Sequence, residues 1–209
     1  MTNRREIELL GICIIMLIAS ACSGSSEYVD IGKYESWINS EEGGFIRQKE
    51  VGGINMQARY IPADYLAWQE IKEKRIVEED SFKVAYAKIK DLKKFVFTMS
   101  AKDSREKILS RGITSNEAYQ ERIYCMNFRM EDNFSLTYDT LTIYPLHVAF
   151  ENAEAFSGEI RFAVVFEDTI AASENSDIMF SYMDEYWGLG KVNFTFKKEK
   201  TSKYKLKIK

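Results

Sequence analysis

Few side chains in this sequence could carry a reaction, and most of them stand alone. His147 is the single histidine, so any histidine-dependent triad would have to use it. In Leu146-His147-Val148-Ala149-Phe150 the alternation puts His147 on one strand face with Ala149 and Glu151, opposite Leu146, Val148 and Phe150. That pattern reads as a partly exposed strand histidine paired with Glu151, and both are candidates for ligand contact. No G-x-S-x-G elbow marks a serine nucleophile. H-E-x-x-H is absent, and one histidine with scattered cysteines does not supply a zinc set, so neither metal nor cofactor is expected. Glu131-Asp132-Asn133, Glu167-Asp168 and Asp184-Glu185 offer oxygen ligands near loops, but without EF-hand spacing. Cys125 lies in Ile123-Tyr124-Cys125-Met126 with no closely flanking positive charge or base to hold a thiolate, and reads as a small buried hydrophobe.

Carboxylates beside aromatic rings point to sugars. Hydrolysis of a glycosidic bond needs two acids about 5 to 10 Å apart across a cleft, and Asp184-Glu185-Tyr186-Trp187-Gly188 is the stretch that comes nearest to suggesting one. An exposed Tyr186 or Trp187 would offer a flat apolar face to a sugar ring or to a partner's anchor. The plainer reading is a turn whose rings pack over the end of a sheet. Candidate ligand contacts are therefore Tyr186, Trp187, His147 and Glu151, with no catalytic set.

Cys22 is the exception, because its surroundings are specific. Leu9 to Ala21 is an uncharged run preceded by Arg4 and Arg5 and closed by the small residues Ala19, Ser20 and Ala21. This is the layout of a secretory signal peptide with its cleavage site. The run is too short to cross a hydrocarbon core of about 30 Å, which takes about 20 apolar residues as helix. Ala19-Ser20-Ala21-Cys22, preceded by Leu17 and Ile18, resembles the lipobox of bacterial lipoproteins. The resemblance implies that the signal, residues 1–21, is removed and that Cys22 is joined to diacylglycerol and then acylated on its new amine. Ala19 stands where the family more often has leucine, and Glu6 and Glu8 offset the two arginines. Ser23 lacks the aspartate that commonly holds lipoproteins at the inner membrane, so the resemblance favours the outer membrane.

The small polar run Ser23-Gly24-Ser25-Ser26 reads as a flexible link, and residues 22–43 are expected to form the lipidated cysteine and its tether. Residues 44–209 are expected to fold as one domain, long enough to bury a core without staples. With Cys13 removed and Cys22 lipidated, Cys125 is the remaining thiol and no internal disulfide can form, so the domain must rest on packing.

Along the domain, Gly52-Gly53 separates two extended pieces, and Ile54, Met56, Ala58 and Tyr60 alternate with polar residues in a half-buried hairpin strand. Pro62 opens a helix over Ala63 to Ile76, whose Tyr65, Trp68, Ile71 and Lys72 side should lie on the sheet. Phe82, Ala85, Tyr86 and Ile89 predict a second helix capped by Asp80 or Ser81. Phe95 to Ser100 predicts a strand, and Thr114 or Ser115 a further cap. From Met126 onward short aromatic and β-branched runs alternate with turns, which indicates an antiparallel sandwich or open barrel with Pro145 at an edge or bend. The fold class is thus α+β: a dominant antiparallel, sandwich-like sheet with two or three helices from the first half.

The net charge of −3 conceals a basic end, since Lys197 to Lys209 holds seven lysines against Glu199. Lys203, Lys205, Lys207 and Lys209 alternate with Tyr204, Leu206 and Ile208, a last strand whose lysines discourage edge pairing.

The order of RYIPADYLAW, ERIYCMNFRMEDNFSL, LHVAFENAEAF with FAVVFED, and GLGKVNFTF resembles a group of uncharacterised Bacteroidota lipoproteins. That resemblance implies a cell-envelope lipoprotein with a β-rich domain and brings no activity with it. The expectation is a membrane-anchored binding or accessory module meeting the membrane through the lipid on Cys22, with an envelope protein or glycan as partner. An envelope address keeps nucleic acid out of reach. The alternative is an envelope enzyme directed at glycans through carboxylates.

Overall fold

The computed structural model describes residues 26–168 and 176–208. The signal run 1–21 and Cys22 lie outside them. In chain order the elements are β1 (Glu27–Val29), α1 (Ile31–Ile38), β2 (Ile46–Val51), β3 (Ile54–Ile61), α2 (Ala63–Glu73), α3 (Glu79–Ile89) and β4 (Leu92–Ala101). There follow α4 (Asn116–Phe128), β5 (Phe134–Tyr138), β6 (Leu141–Ile143), β7 (His147–Ala153), α5 (Glu154–Ser157), β8 (Glu159–Glu167), β9 (Ile178–Met183), β10 (Lys191–Phe196), α6 (Lys198–Thr201) and β11 (Tyr204–Leu206).

Two antiparallel sheets face each other, one of five strands in the order β2-β3-β4-β8-β7 and one of four in the order β10-β9-β5-β6. Strand periodicity fills the space between them: Phe95, Phe97 and Met99 from β4 meet Ile160, Phe162, Val164 and Phe166 from β8 on one wall. Phe180 and Tyr182 from β9, Phe194 and Phe196 from β10 and Phe134 from β5 form the other. Phe97 sits at the middle, its ring within 5.0 to 6.5 Å of five others, Phe134, Phe162, Phe180, Tyr182 and Phe194. Ala58 lies beside it on β3, small where Phe97 is large. The α+β, sandwich-like expectation holds, and Pro145 lies in the link between β6 and β7, edge strands of different sheets.

Gly52 and Gly53 turn the β2–β3 hairpin with φ of 58° and 73°, the doubly positive pair that a two-residue turn requires. Ser115 caps α4 by accepting from Ala118 N–H. The cap of α3 falls earlier than expected, at Glu78 rather than Asp80 or Ser81. Helix α2 ends at Glu73, with Arg75 turning out at φ 58°.

The expected tether over 22–43 is corrected by the structure: its residues 27–43 belong to the fold. Glu27–Val29 pairs in parallel with Tyr204–Leu206, so the two ends of the domain close together in a two-stranded sheet. Asp30 caps α1 by accepting from Lys33 N–H at 3.0 Å. Tyr34, Trp37 and Ile38 are buried in a second apolar cluster with Phe45, Ala67, Trp68, Ile71, Ala85 and Leu206. Gly43 is required at the end of this segment, because a Cβ there would lie 2.2 Å from the Trp37 carbonyl oxygen.

Helix α2 is also placed differently. Its Ala67, Trp68 and Ile71 are buried in that second cluster, and the helix packs chiefly on α3, with less against β4 and β11. Lys72 lies over the Trp68 ring at 4.4 Å. No helix among the described residues is long and apolar enough to cross a membrane.

Candidate functional site

The two apolar clusters meet at Tyr60, which packs against both. Its ring stacks on Phe95 at 5.1 Å from the sandwich and on Phe45 at 5.9 Å from the helical side. At this seam a cleft of about 560 Å³ opens between α2, α3, β11 and the end of the sandwich. Tyr60, Asp64, Tyr34 and Tyr204 line it, Phe82 and Tyr86 add a stacked ring pair 6.1 Å apart with nearly parallel planes, and Lys90, Lys93, Lys198 and Lys205 stand around it.

Each side of the seam is fixed by a tyrosine donating to a carboxylate. On the helical side Tyr34 Oη donates to Asp64 Oδ1 at 2.6 Å, and the N–H groups of Tyr65 and Leu206 donate to the same carboxylate at 2.9 and 3.3 Å. One side chain in the first turn of α2 thereby ties α1, α2 and β11 together. On the sandwich side Tyr138 Oη donates to Asp168 Oδ2 at 2.6 Å, and Lys93 Nζ stands 3.6 Å from that oxygen. The Asp168 side chain is wholly enclosed.

Burial pushes the Asp64 carboxyl above its ordinary range, opposed by the Tyr34 hydroxyl and the backbone N–H groups. Burial first, then the charge of Asp64, drives the Tyr34 phenol far up. Tyr60 is raised by burial and then by the charges of Asp64 and Asp168. Tyr138 is raised by burial and then by its bond to Asp168. These phenols are therefore neutral at physiological pH, and those of Tyr34 and Tyr138 donate to the carboxylates. The Asp64 oxygens are already taken, which suits a positioning role better than proton transfer.

The residues singled out in the sequence do not gather here. His147 and Glu151 are exposed on the outward face of edge strand β7. The expected pairing of the two is corrected: Glu151 lies opposite Arg161 on β8, and their charged groups are 3.8 Å apart. Tyr186 and Trp187 are in the β9–β10 turn at another edge of the molecule. There the buried Asp184 carboxylate accepts from the N–H groups of Tyr186, Trp187 and Leu189, at 3.0, 3.0 and 2.7 Å. Trp187 Nε1 donates to the Ile108 carbonyl at 3.1 Å, and the Arg122 guanidinium lies 5.3 Å from its ring centre. These rings close the end of the sandwich, the plainer of the two readings. Cys125 is half-buried on α4 and not enclosed as expected, with Sγ 3.6 Å from Glu121 Oε1.

Among the described residues no three His, Cys, Asp or Glu side chains gather as a metal site. A second concavity of about 730 Å³ spreads over the outward face of the five-stranded sheet, lined by Gln48, Gln57, Arg59, Thr98 and Arg161. It presents a polar surface with Arg161 held by Glu159 at 3.1 Å, and no aromatic ring lines it.

The sequence matches no family model and no curated protein. Among solved structures it is similar to a protein of unknown function from Burkholderia pseudomallei. The match has 10% identity and a TM-score of 0.35, covering 84% of this chain and 93% of that one. That likeness is too slight to carry fold or function across.

Proposed function

We propose that this protein is a lipid-anchored module of the bacterial cell envelope that binds a ligand without transforming it. The anchor is Cys22, acylated after cleavage of residues 1–21, and the observation that carries the reading is the charged start, uncharged run and small residues that end at that cysteine. Acylation contributes about 0.8 kcal/mol per buried methylene, so the chains on this one residue can hold the whole domain at a bilayer. The early start of the domain supports a short connection: β1 begins at Glu27, five residues past Cys22, which keeps the folded part close to the surface. Binding is placed at the Tyr60 seam, where side chains of both halves of the domain converge. The buried carboxylate lining it is occupied by donors, which favours recognition over general acid or base work.

The test of the anchor is metabolic labelling with a palmitate analogue, followed by fractionation. Wild-type chain should carry the label and sediment with membranes, and Cys22→Ala should do neither. Equal labelling and sedimentation of the two would defeat the reading.

A further inference from the structure

Resting on the reading of the domain as a binding module, we propose that the cleft at the Tyr60 seam takes an anionic saccharide, a run of sugar rings bearing carboxylate or sulfate groups. Three properties of its lining converge on that chemistry.

Charge comes first. The chain has a net charge of −3, yet four lysines line this one cleft, from the end of α3 (Lys90), from β4 (Lys93), from α6 (Lys198) and from β11 (Lys205). Lys93 is engaged with Asp168. Lys90, Lys198 and Lys205 have no ion pair among the described residues, so three cations are left to a ligand. Asp64 is the carboxylate that faces them from the lining, and its oxygens are held by the Tyr34 hydroxyl and two backbone N–H groups.

The kind of cation and its distribution come second. The lining contains no arginine, whose planar fork would bind one phosphate bidentately. Lysines on four separate elements are point charges spread along the opening, which suits a ligand whose negative charges are spaced along a chain.

Ring faces come third. Phe82 and Tyr86, stacked at 6.1 Å with planes 17° apart, both line the cleft with aromatic surface, and Tyr28 is 65% exposed at the rim. Aromatic faces accept the apolar C–H side of a sugar ring, and the hydroxyl oxygens of Thr201 and Ser202, which donate to the Lys197 and Lys198 carbonyls, line the same cleft as acceptors. A volume of about 560 Å³ lies within the range of small-ligand sites and has room for a short oligosaccharide segment.

The experiment is fluorescence anisotropy with the full-length acylated protein in detergent micelles. The probes are a labelled oligogalacturonate, a labelled heparin-derived oligosaccharide and a labelled neutral maltooligosaccharide. At least one acidic probe should bind, the neutral one should bind at least about tenfold more weakly, and affinity should fall with salt. The two acidic arms tell carboxylate from sulfate. The double variant K90E/K205E, at solvent-facing positions, should lose about tenfold or more in affinity, with its thermal melt unchanged. F82A should weaken binding without changing the salt slope. Equal affinity for neutral and acidic probes, no binding of any probe, or wild-type affinity in the double variant would each overturn the proposal. Membrane sedimentation of the same preparations is read separately, so failure here is distinguishable from failure of the anchor.

Discussion

The two halves of this domain are stabilised by different physics. Between the sheets the core is dominated by aromatic rings: Phe95, Phe97, Phe162 and Phe180 have no exposed surface, and stacked and tilted ring contacts link them. In the helical half the apolar cluster is smaller, and Asp64 joins its pieces through hydrogen bonds from two groups distant in the chain, the Tyr34 hydroxyl and the Leu206 N–H, and a third from the neighbouring Tyr65 N–H. Each ring of the sandwich touches several others, so a truncation there is felt across the whole core. A hydrogen-bonded knot depends on each donor, and its loss is felt locally. The cleft sits where the two meet, which places a rigid wall beside a more easily adjusted one.

Truncation of the central ring should separate the two halves most sharply. Phe97→Ala removes a side chain touching five others and should cost about 3 to 5 kcal/mol in denaturant unfolding. Asp64→Ala comes next at about 1 to 3 kcal/mol, because it strands the Tyr34 hydroxyl and two N–H groups. Native-state hydrogen exchange should localise its effect, with faster exchange in α1 and β11 and little change in β4 and β8. A double-mutant cycle should couple Asp64→Ala with Tyr34→Phe and leave Asp64→Ala additive with Phe97→Ala.

The pH dependence sharpens the comparison further. Burial raises the folded-state proton affinity of Asp64 above its unfolded value, so the native state holds that proton to higher pH than the unfolded chain does. Its contribution to stability is complete below the ordinary carboxylate pKa and is lost as pH rises through the elevated folded value. Asp64→Asn should remove that decline, flattening the plot of unfolding midpoint against pH over this window. An unchanged slope would contradict the assignment. The smallest effect belongs to the outward sheet face, where Glu151→Gln removes an exposed partner of Arg161 and should cost about 0.5 kcal/mol or less.

Much of the sheet was legible because strand alternation is a local signal. Ile54, Met56 and Ala58, and likewise the phenylalanines of β4, β8 and β10, show their buried face in their own spacing. Helix α1 carried a signal too, in Asp30 at the cap with Ile31, Tyr34 and Ile38 at helical spacing, but the polar run before it drew the segment into the tether. The His147–Glu151 pairing failed on geometry. Four residues along a strand, at about 3.3 Å each, separate the two by roughly 13 Å, whereas the residue opposite Glu151 on the next strand is adjacent.

The cleft was the least legible part. Asp64 sits in an ordinary first helical turn, and its partners Tyr34 and Leu206 are 30 and 142 residues away in sequence. Lys90, Lys198 and Lys205 belong to segments far apart in sequence that the tertiary fold brings to one opening. Nothing local in the lysine-rich end distinguishes a solvated edge from one wall of a cleft.

Whether the domain binds without transforming, as proposed, is decided by one incubation read two ways. Full-length acylated protein is mixed with the tightest-binding acidic oligosaccharide, and bound fraction and chain length are followed together over hours. Saturable binding with the oligosaccharide recovered intact is the predicted result. Shortened products that appear with wild type and disappear with Asp64→Asn would contradict the claim and make the cleft an active site.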